Sequence, residues 1–138
     1  MGTRAFVDTN VLVYLYDAGE PAKRARAQQL VLDDAYDLVI STQVLNEFYV
    51  TVTRKIATPL SIEVATDAVK ALAQLEVAPV TRNLVIDALA LGQRHKLSHW
   101  DALILESAAR TGCAELLTED LAVGATIEGV AIVNPFAD

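Results

Sequence analysis

Ala5-Phe6-Val7-Asp8-Thr9-Asn10-Val11-Leu12-Val13 sets three apolar residues, three polar ones and three apolar ones in a row. Ala5-Phe6-Val7 has the length and composition of a short buried strand. Asp8, Thr9 and Asn10 are each residue types that accept the first free amides of a helix, here one starting on Val11-Leu12-Val13. The pattern recurs: Asp37-Leu38-Val39-Ile40 ends at Ser41-Thr42, and a helix from Thr42 to about Ile56 repeats Val44, Phe48 and Val52, with Leu45 and Tyr49 alongside.

Further along, Pro21 to Asp34 suits a helix with proline in its first turn. Ser61 to Leu75 carries Val64, Ala68, Leu72 and Leu75 at helical spacing, and Val77-Ala78-Pro79-Val80 reads as extended. Thr81 caps a helix through Leu84, Ala88 and Leu91 that ends near His95. Ser98-His99-Trp100-Asp101 has the spacing of a capping box and opens a helix that stops at Gly112. Glu115-Leu116-Leu117-Thr118 and Val130-Ala131-Ile132-Val133 are two more strands. Strands alternating with helices predict an α/β fold, a three-layer α/β/α sandwich around a mostly parallel sheet. In such sheets ligands bind beyond the carboxyl ends of the strands.

The 138 residues fit a single domain spanning 1–138, with 53% hydrophobic and 21% charged residues, enough to bury a core. The net charge of -7 excludes a protein that holds nucleic acid by bulk positive charge, so any such substrate needs a local patch or a bound cation. Cys113 is the only cysteine, which excludes an internal disulfide framework and a thiolate zinc cluster and points to the cytoplasm. Asp8 interrupts the N-terminus before a signal-peptide apolar region forms, and no apolar run approaches the roughly 20 residues of a membrane span.

Two acids stand where the strand-end rule puts a site: Asp8 after the first strand, and Asp120 after Leu116-Leu117-Thr118. Taken singly, Asp8 also reads as a cap and Asp120 as a turn former. Asp101 shares its helix face with Ile104, Leu105 and Ala108, so it points inward, although a capping-box carboxylate would serve there too. Glu47 flanks the apolar stripe of the helix after the second strand. On this topology all four carboxylates can face one crevice. Carboxylates about 4 Å apart repel by roughly 4 kcal/mol at a surface-like dielectric, so protons or cations must neutralise them. Hard oxygen donors without zinc-type His/Cys spacing favour Mg²⁺ or Mn²⁺, and Mg²⁺ takes substrate phosphates as further ligands, which points to phosphate-ester chemistry.

Phe6-Val7-Asp8-Thr9-Asn10-Val11-Leu12-Val13-Tyr14, Ser41-Thr42-Gln43-Val44-Leu45-Asn46-Glu47-Phe48-Tyr49, His99-Trp100-Asp101-Ala102-Leu103-Ile104, Leu116-Leu117-Thr118-Glu119-Asp120-Leu121 and Asn134-Pro135-Phe136 follow one another in order. Together they resemble the PIN domain, and within it the small VapC-type ribonuclease toxins of toxin-antitoxin modules. The resemblance implies a metal-dependent endoribonuclease whose acidic cluster maps onto Asp8, Glu47, Asp101 and Asp120. It implies Glu119 as an auxiliary acid, and Thr9, Asn10 and Thr118 as polar supports of the cluster. It further implies an antitoxin partner of VapB type and a homodimer. The chain departs from many relatives after Asp120, where Leu121-Ala122-Val123-Gly124 lacks an aromatic.

Activated water attacking phosphorus in line, with the 3′ oxygen leaving, would yield 5′-phosphate and 3′-hydroxyl ends. For RNA contact the most suggestive run is Arg94, His95, Lys96, His99 and Trp100, which offers phosphate ligands and an indole to stack a base. The basic trio equally complements a helix dipole. Lys23, Arg24 and Arg26, and Arg54 with Lys55, read as solvated faces, and Tyr14, Tyr16 and Tyr49 suit an apolar dimer face or the core. Two other readings stay open at this point. An aspartyl-phosphate phosphatase or receiver also puts acids beyond parallel strands, but Asn10 stands where the phosphatase needs Asp and Asn134-Pro135 where a receiver needs Lys. A non-catalytic interaction module would keep the acidic crevice without using it.

Overall fold

The computed structural model describes residues 2–137. Its first half runs β1 (Thr3–Val7), α1 (Thr9–Val13), a 3₁₀ turn (Tyr14–Tyr16), α2 (Pro21–Leu32), β2 (Tyr36–Ser41) and α3 (Thr42–Arg54). The second half runs α4 (Ile62–Leu72), β3 (Glu76–Ala78), α5 (Arg82–His95), α6 (His99–Arg110), β4 (Glu115–Leu117), β5 (Thr126–Ile127) and β6 (Val130–Val133). The strands form one sheet in the order β3-β2-β1-β4-β6-β5, parallel except for the β5–β6 pair. Helices flank it, giving the α/β/α sandwich expected from the alternation of elements.

The core explains the apolar runs. Ala5, Phe6, Val7, Val39, Ile40, Leu116 and Leu117 are buried in the central strands, and Val44, Phe48 and Val52 present one fully buried stripe of α3 to them. Residues buried on both faces of a parallel sheet read as unbroken apolar runs, which is why these strands were visible. Side-chain caps fix the helix starts: Ser41 Oγ accepts from the Val44 amide, Ser61 Oγ from Val64, Thr81 Oγ1 from Leu84 and Ser98 Oγ from Asp101.

Several boundaries differ from expectation. Helix α2 stops at Leu32 and α3 at Arg54, two residues short of the predicted ends, and β3 lies on Glu76–Ala78 because Pro79 has no amide to give a ladder. Strand β5 was not anticipated. Glu128 (φ 52°) and Gly129 (φ 79°) both take left-handed backbone between Ile127 and Val130, the geometry of a two-residue hairpin turn. Glu-Gly is a weaker signal for such a turn than Asn-Gly, and a two-residue strand has no periodicity to detect.

The sheet order places the site. The chain leaves β1 toward β2 and β3, then returns to add β4 on the opposite edge of β1. The crevice between the carboxyl ends of β1 and β4 is therefore the switch point of the topology. Asp8 and Thr118 are the first residues past those two ends, and the Asp8 amide bonds the Leu117 carbonyl at 3.0 Å.

Candidate active site

A cavity of about 610 Å³ opens at that switch point. Asp8 from the end of β1, Glu47 from α3, Asp101 from the first turn of α6 and Asp120 from the loop after β4 all line it, with Thr9 and Asn10 beside them. Four segments far apart in sequence thus contribute one carboxylate each. None of the four has an ion-pair partner among the described residues.

Short polar side chains position the acids. Asp8 Oδ1 accepts from the Thr9 amide at 2.8 Å and Oδ2 from the buried Thr118 hydroxyl at 2.9 Å, so the residue caps α1 and is held by β4's exit as well. Thr9 Oγ1 donates to Glu47 Oε1 at 2.8 Å, and Gln43 Nε2 reaches Glu47 Oε2 at 3.2 Å from one turn earlier on α3. Asn10 Nδ2 donates to Asp120 Oδ2 at 3.0 Å and to Thr118 Oγ1 at 3.2 Å. Asp101 shows one half of a capping box. Its amide donates to Ser98 Oγ at 3.1 Å, but the described hydrogen bonds include none from the Ser98 amide back to its carboxylate, which faces the cavity.

Burial, opposed by the bonds from Thr118 and Thr9 and reinforced by the charges of Glu47 and Asp101, lifts the Asp8 carboxyl to about 6. An acid only 9% exposed that feels two neighbouring carboxylates and no cation is poised for a positive ligand. Among the described residues no group of three or more acids, histidines or cysteines is placed to hold a metal ion between them. The donors instead fit an ion of the Mg²⁺ kind, which keeps several waters and takes one or two carboxylates plus substrate oxygens. They are all hard oxygens, they converge on one space, and they have no competing ammonium or guanidinium bound to them.

Glu119 falls outside this group. It is absent from the cavity wall; Lys23 Nζ lies 2.5 Å from its Oε2 and the Tyr14 hydroxyl donates to its Oε1 at 2.6 Å. Burial raises its pKa, but the bonds from Lys23 and Tyr14 outweigh that and hold the carboxyl below its ordinary value. Lys23, read as solvated, also stands 4.9 Å over the Tyr14 ring, and Arg26 donates to the Pro135 carbonyl. Tyr14 packs edge-on against Phe136 and Tyr16 against Phe48, so both rings find partners within the chain. The backbone amide of Glu119 meanwhile bonds Asn10 Oδ1, tying this cluster to the carboxylate next door.

The suggested RNA-binding run splits in two. Arg94 and His95 both meet Glu128 at the β5–β6 turn, and Lys96 takes left-handed backbone (φ 57°) to end α5. Trp100 is 64% exposed and lines a second cavity of about 550 Å³ with Thr42, Gln43, Asn46, Glu47, Val80 and Leu103. His99 packs edge-on against the indole. The two cavities share Asn46 and Glu47.

The PIN domain profile matches residues 5–125, the span that supplies every carboxylate of the cavity. The chain belongs to the PIN domain family. No curated protein sequence matches it. Among solved structures, a chain of a toxin-antitoxin complex from Klebsiella pneumoniae is 26% identical at a TM-score of 0.72, covering 96% of this chain and 98% of that one. VapC20 of Mycobacterium tuberculosis, a sarcin-ricin loop cleaving toxin, shares the fold at a TM-score of 0.69 with 24% identity, over 84% of this chain and 89% of that one. VapBC2 of Rickettsia felis, bound to a DNA fragment from its promoter, gives 0.63 and 18% over 94% and 97%. Sequence reasoning did not find Asp17, Asn46 or Lys55 in this PIN domain's cavity wall. Val50 and Thr51 line the cavity too; Asn46 lies four residues before Val50, and Lys55, the C-cap of α3, four after Thr51, a spacing that is legible once Glu47 is known to face a cavity.

Proposed function

We propose that this chain is a divalent-metal-dependent endoribonuclease, a single PIN domain over 1–138, with Asp8, Glu47, Asp101 and Asp120 as the metal-holding acids. The observation that carries the reading is the contrast in charge pairing: these four carboxylates share a cavity without an ion-pair partner among the described residues, whereas Glu119 beside them is neutralised by Lys23. Mg²⁺ or Mn²⁺ bound there would neutralise the acids, polarise the phosphodiester and acidify water.

The chain's own residues do the positioning. Thr118 and Thr9 fix both oxygens of Asp8, Thr9 and Gln43 fix Glu47, and Asn10 fixes Asp120. Attack of water on phosphorus with departure of the 3′ oxygen leaves 5′-phosphate and 3′-hydroxyl ends and requires no 2′-hydroxyl nucleophile. His95 and His99 lie off the acid cavity's wall, which suits a reaction without a histidine base pair. Trp100, the only tryptophan, stacks a base of the substrate in the second cavity, which shares Asn46 and Glu47 with the acid cavity, and His99 braces it; Arg94 and Lys96 make only peripheral phosphate contacts.

The biological setting in this reading is the toxin of a toxin-antitoxin module, with a VapB-type antitoxin and a second copy of the chain as partners, in the cytoplasm. Family membership and the Klebsiella complex support the partner assignment. The lone buried Cys113 and the lack of any described helix long and apolar enough to cross a membrane are compatible with the location.

The test is incubation of purified protein with total RNA, with and without Mn²⁺, followed by mapping of cut ends. Cleavage that needs the ion, gives 5′-phosphate ends and vanishes in Asp8→Asn supports the reading. Equal cleavage by Asp8→Asn, or acid-labile phosphorylation of Asp8 in its place, would falsify it.

A further inference from the structure

Five carboxylates line the acid cavity, those of Asp8, Asp17, Glu47, Asp101 and Asp120, and the only cationic side chain among the described wall residues is Lys55. A polyanion entering here meets repulsion from every other charge on the wall. Metal ions relieve that repulsion at the acids themselves but not along the rest of the strand.

The geometry sets Lys55 apart from the acids. Asn46, Glu47, Val50, Thr51 and Lys55 lie on one side of α3, so this helix forms a wall with Glu47 at one end and Lys55 eight residues on, about 12 Å along the axis. Thr9, Val13, Tyr14 and Asp17 form the facing wall from α1 and the 3₁₀ turn. The Thr9–Glu47 hydrogen bond pins the two walls together at the acidic end. At the other end of these walls stand half-buried Asp17 and exposed Lys55, at the mouth.

Lys55 is exposed and uncommitted there. No carboxylate stands within ion-pair reach of it among the described residues, and Asp17, the acid on the facing wall, accepts instead from the Gly19 amide at 3.0 Å. Lys23, the other lysine near this end of the molecule, is spent on Glu119.

We propose that Lys55 binds a backbone phosphate of the substrate strand flanking the one that is cut, so that RNA runs along α3 from the acids to the cavity mouth. This rests on the nuclease reading above. Lys55 then contributes binding of the strand and its salt dependence, and does not touch the reacting phosphate.

The test uses Lys55→Gln and Lys55→Arg, cleaving a labelled single-stranded RNA with Mn²⁺ at several KCl concentrations. Mn²⁺ binding to each protein alone is measured by calorimetry. For Lys55→Gln, KM should rise about three- to tenfold at low salt with kcat within about twofold, and the slope of log KM against log salt should fall by about 0.7, the value for one phosphate contact on a single strand. Lys55→Arg should restore both, and Mn²⁺ affinity should not move. An unchanged KM and slope in Lys55→Gln, with the wild type cleaving normally, overturns the inference and leaves the nuclease reading standing. A changed Mn²⁺ affinity without a change of slope also overturns it, because Lys55 would then act only on the field around the acids. A wild type with no ion-dependent cleavage overturns the nuclease reading, and this inference with it.

Discussion

Glu119 and Asp120 are adjacent in the chain and have opposite electrostatic fates. Glu119 turns toward α2, where Lys23 gives it a cation and Tyr14 a hydroxyl, and both of these partners rest against the Phe136 ring of the C-terminal segment. Asp120 turns into a cavity with four other acids, and its carboxylate accepts only from the Asn10 side-chain amide among the described hydrogen bonds. A carboxylate that has found its counter-charge is finished as a structural element, whereas carboxylates that gather without one hold unspent attraction for a cation. The two regions are joined through Asn10, whose side chain binds the Glu119 amide on one side and Asp120 on the other.

The strongest way to break the comparison is to neutralise the unpaired side. Asp8→Asn should lower metal-dependent RNA cleavage on the order of 10³-fold, since it removes a charge that acts on the reacting centre. The same change should not unfold the protein, because an Asn side-chain oxygen still accepts from the Thr9 amide and only the bond from the Thr118 hydroxyl, which already accepts from Asn10 and from the Asp120 amide, is lost. Purified variant and wild type compared in the end-mapping assay decide the first point, and thermal melts the second.

Asp8 also makes a pH signature. Its carboxyl is raised from the ordinary 3.8 to about 6, so the native state keeps this proton while the unfolded chain loses it. Stability from this group is fully present below about pH 4 and is lost as pH rises through 6, an upper bound of about 3 kcal/mol. Urea unfolding without divalent ions should show that loss in the wild type. Asp8→Asn should lack it and should be the more stable protein at pH 7. Added Mn²⁺ should recover stability in the wild type alone. If the two proteins track each other across pH 4 to 7, Asp8 is not strained and the contrast with Glu119 disappears.

The same contrast shows where the sequence could and could not be read. Strands β1, β2 and β4 were legible because burial on both faces writes unbroken apolar runs, β6 because its four residues are all apolar although only Val130 and Ile132 are buried, and the crevice followed from the strand-end rule. Two-residue β5 carries no such run. Asp8, Glu47, Asp101 and Asp120 stood out because each sits at a strand exit or on a flank of a recognisable helix. Asp17 was missed because it ends a 3₁₀ turn that has no signature of its own in Tyr14-Leu15-Tyr16. Glu119 was grouped with its neighbour because linear adjacency says nothing about which side of a loop a carboxylate takes. Lys23 and Lys55 looked alike as helix-face cations; only the fold shows one bonded to Glu119 and the other at a cavity mouth.

Disturbing the paired side should have a smaller effect. Lys23→Met strands Glu119, and because the pair is partly exposed the cost in stability should be about 0.5–1 kcal/mol. Cleavage should fall by about tenfold through the Asn10 link to Asp120, the magnitude usual for groups that orient a metal-holding side chain. Adding Glu119→Gln to Lys23→Met should return most of the stability, a coupling that a double-mutant cycle measures directly. A Lys23→Met protein with wild-type kcat would mean that the neutralised cluster and the acid cavity are independent.

The smallest effect separates capping from the candidate chemistry within α6. Ser98 Oγ accepts from the Asp101 amide, so Ser98→Ala removes one helix cap and should cost about 1 kcal/mol, read as a lower urea midpoint with unchanged slope. The Asp101 carboxylate takes no part in that bond, and α6 stays anchored by Ala102, Leu103, Ile104 and Leu105 against the core. Cleavage by Ser98→Ala should therefore stay within about twofold of wild type. If it falls in step with Asp101→Asn, the carboxylate depends on the cap for its aim, and Asp101 belongs with Glu119 among acids whose place in the fold is structural.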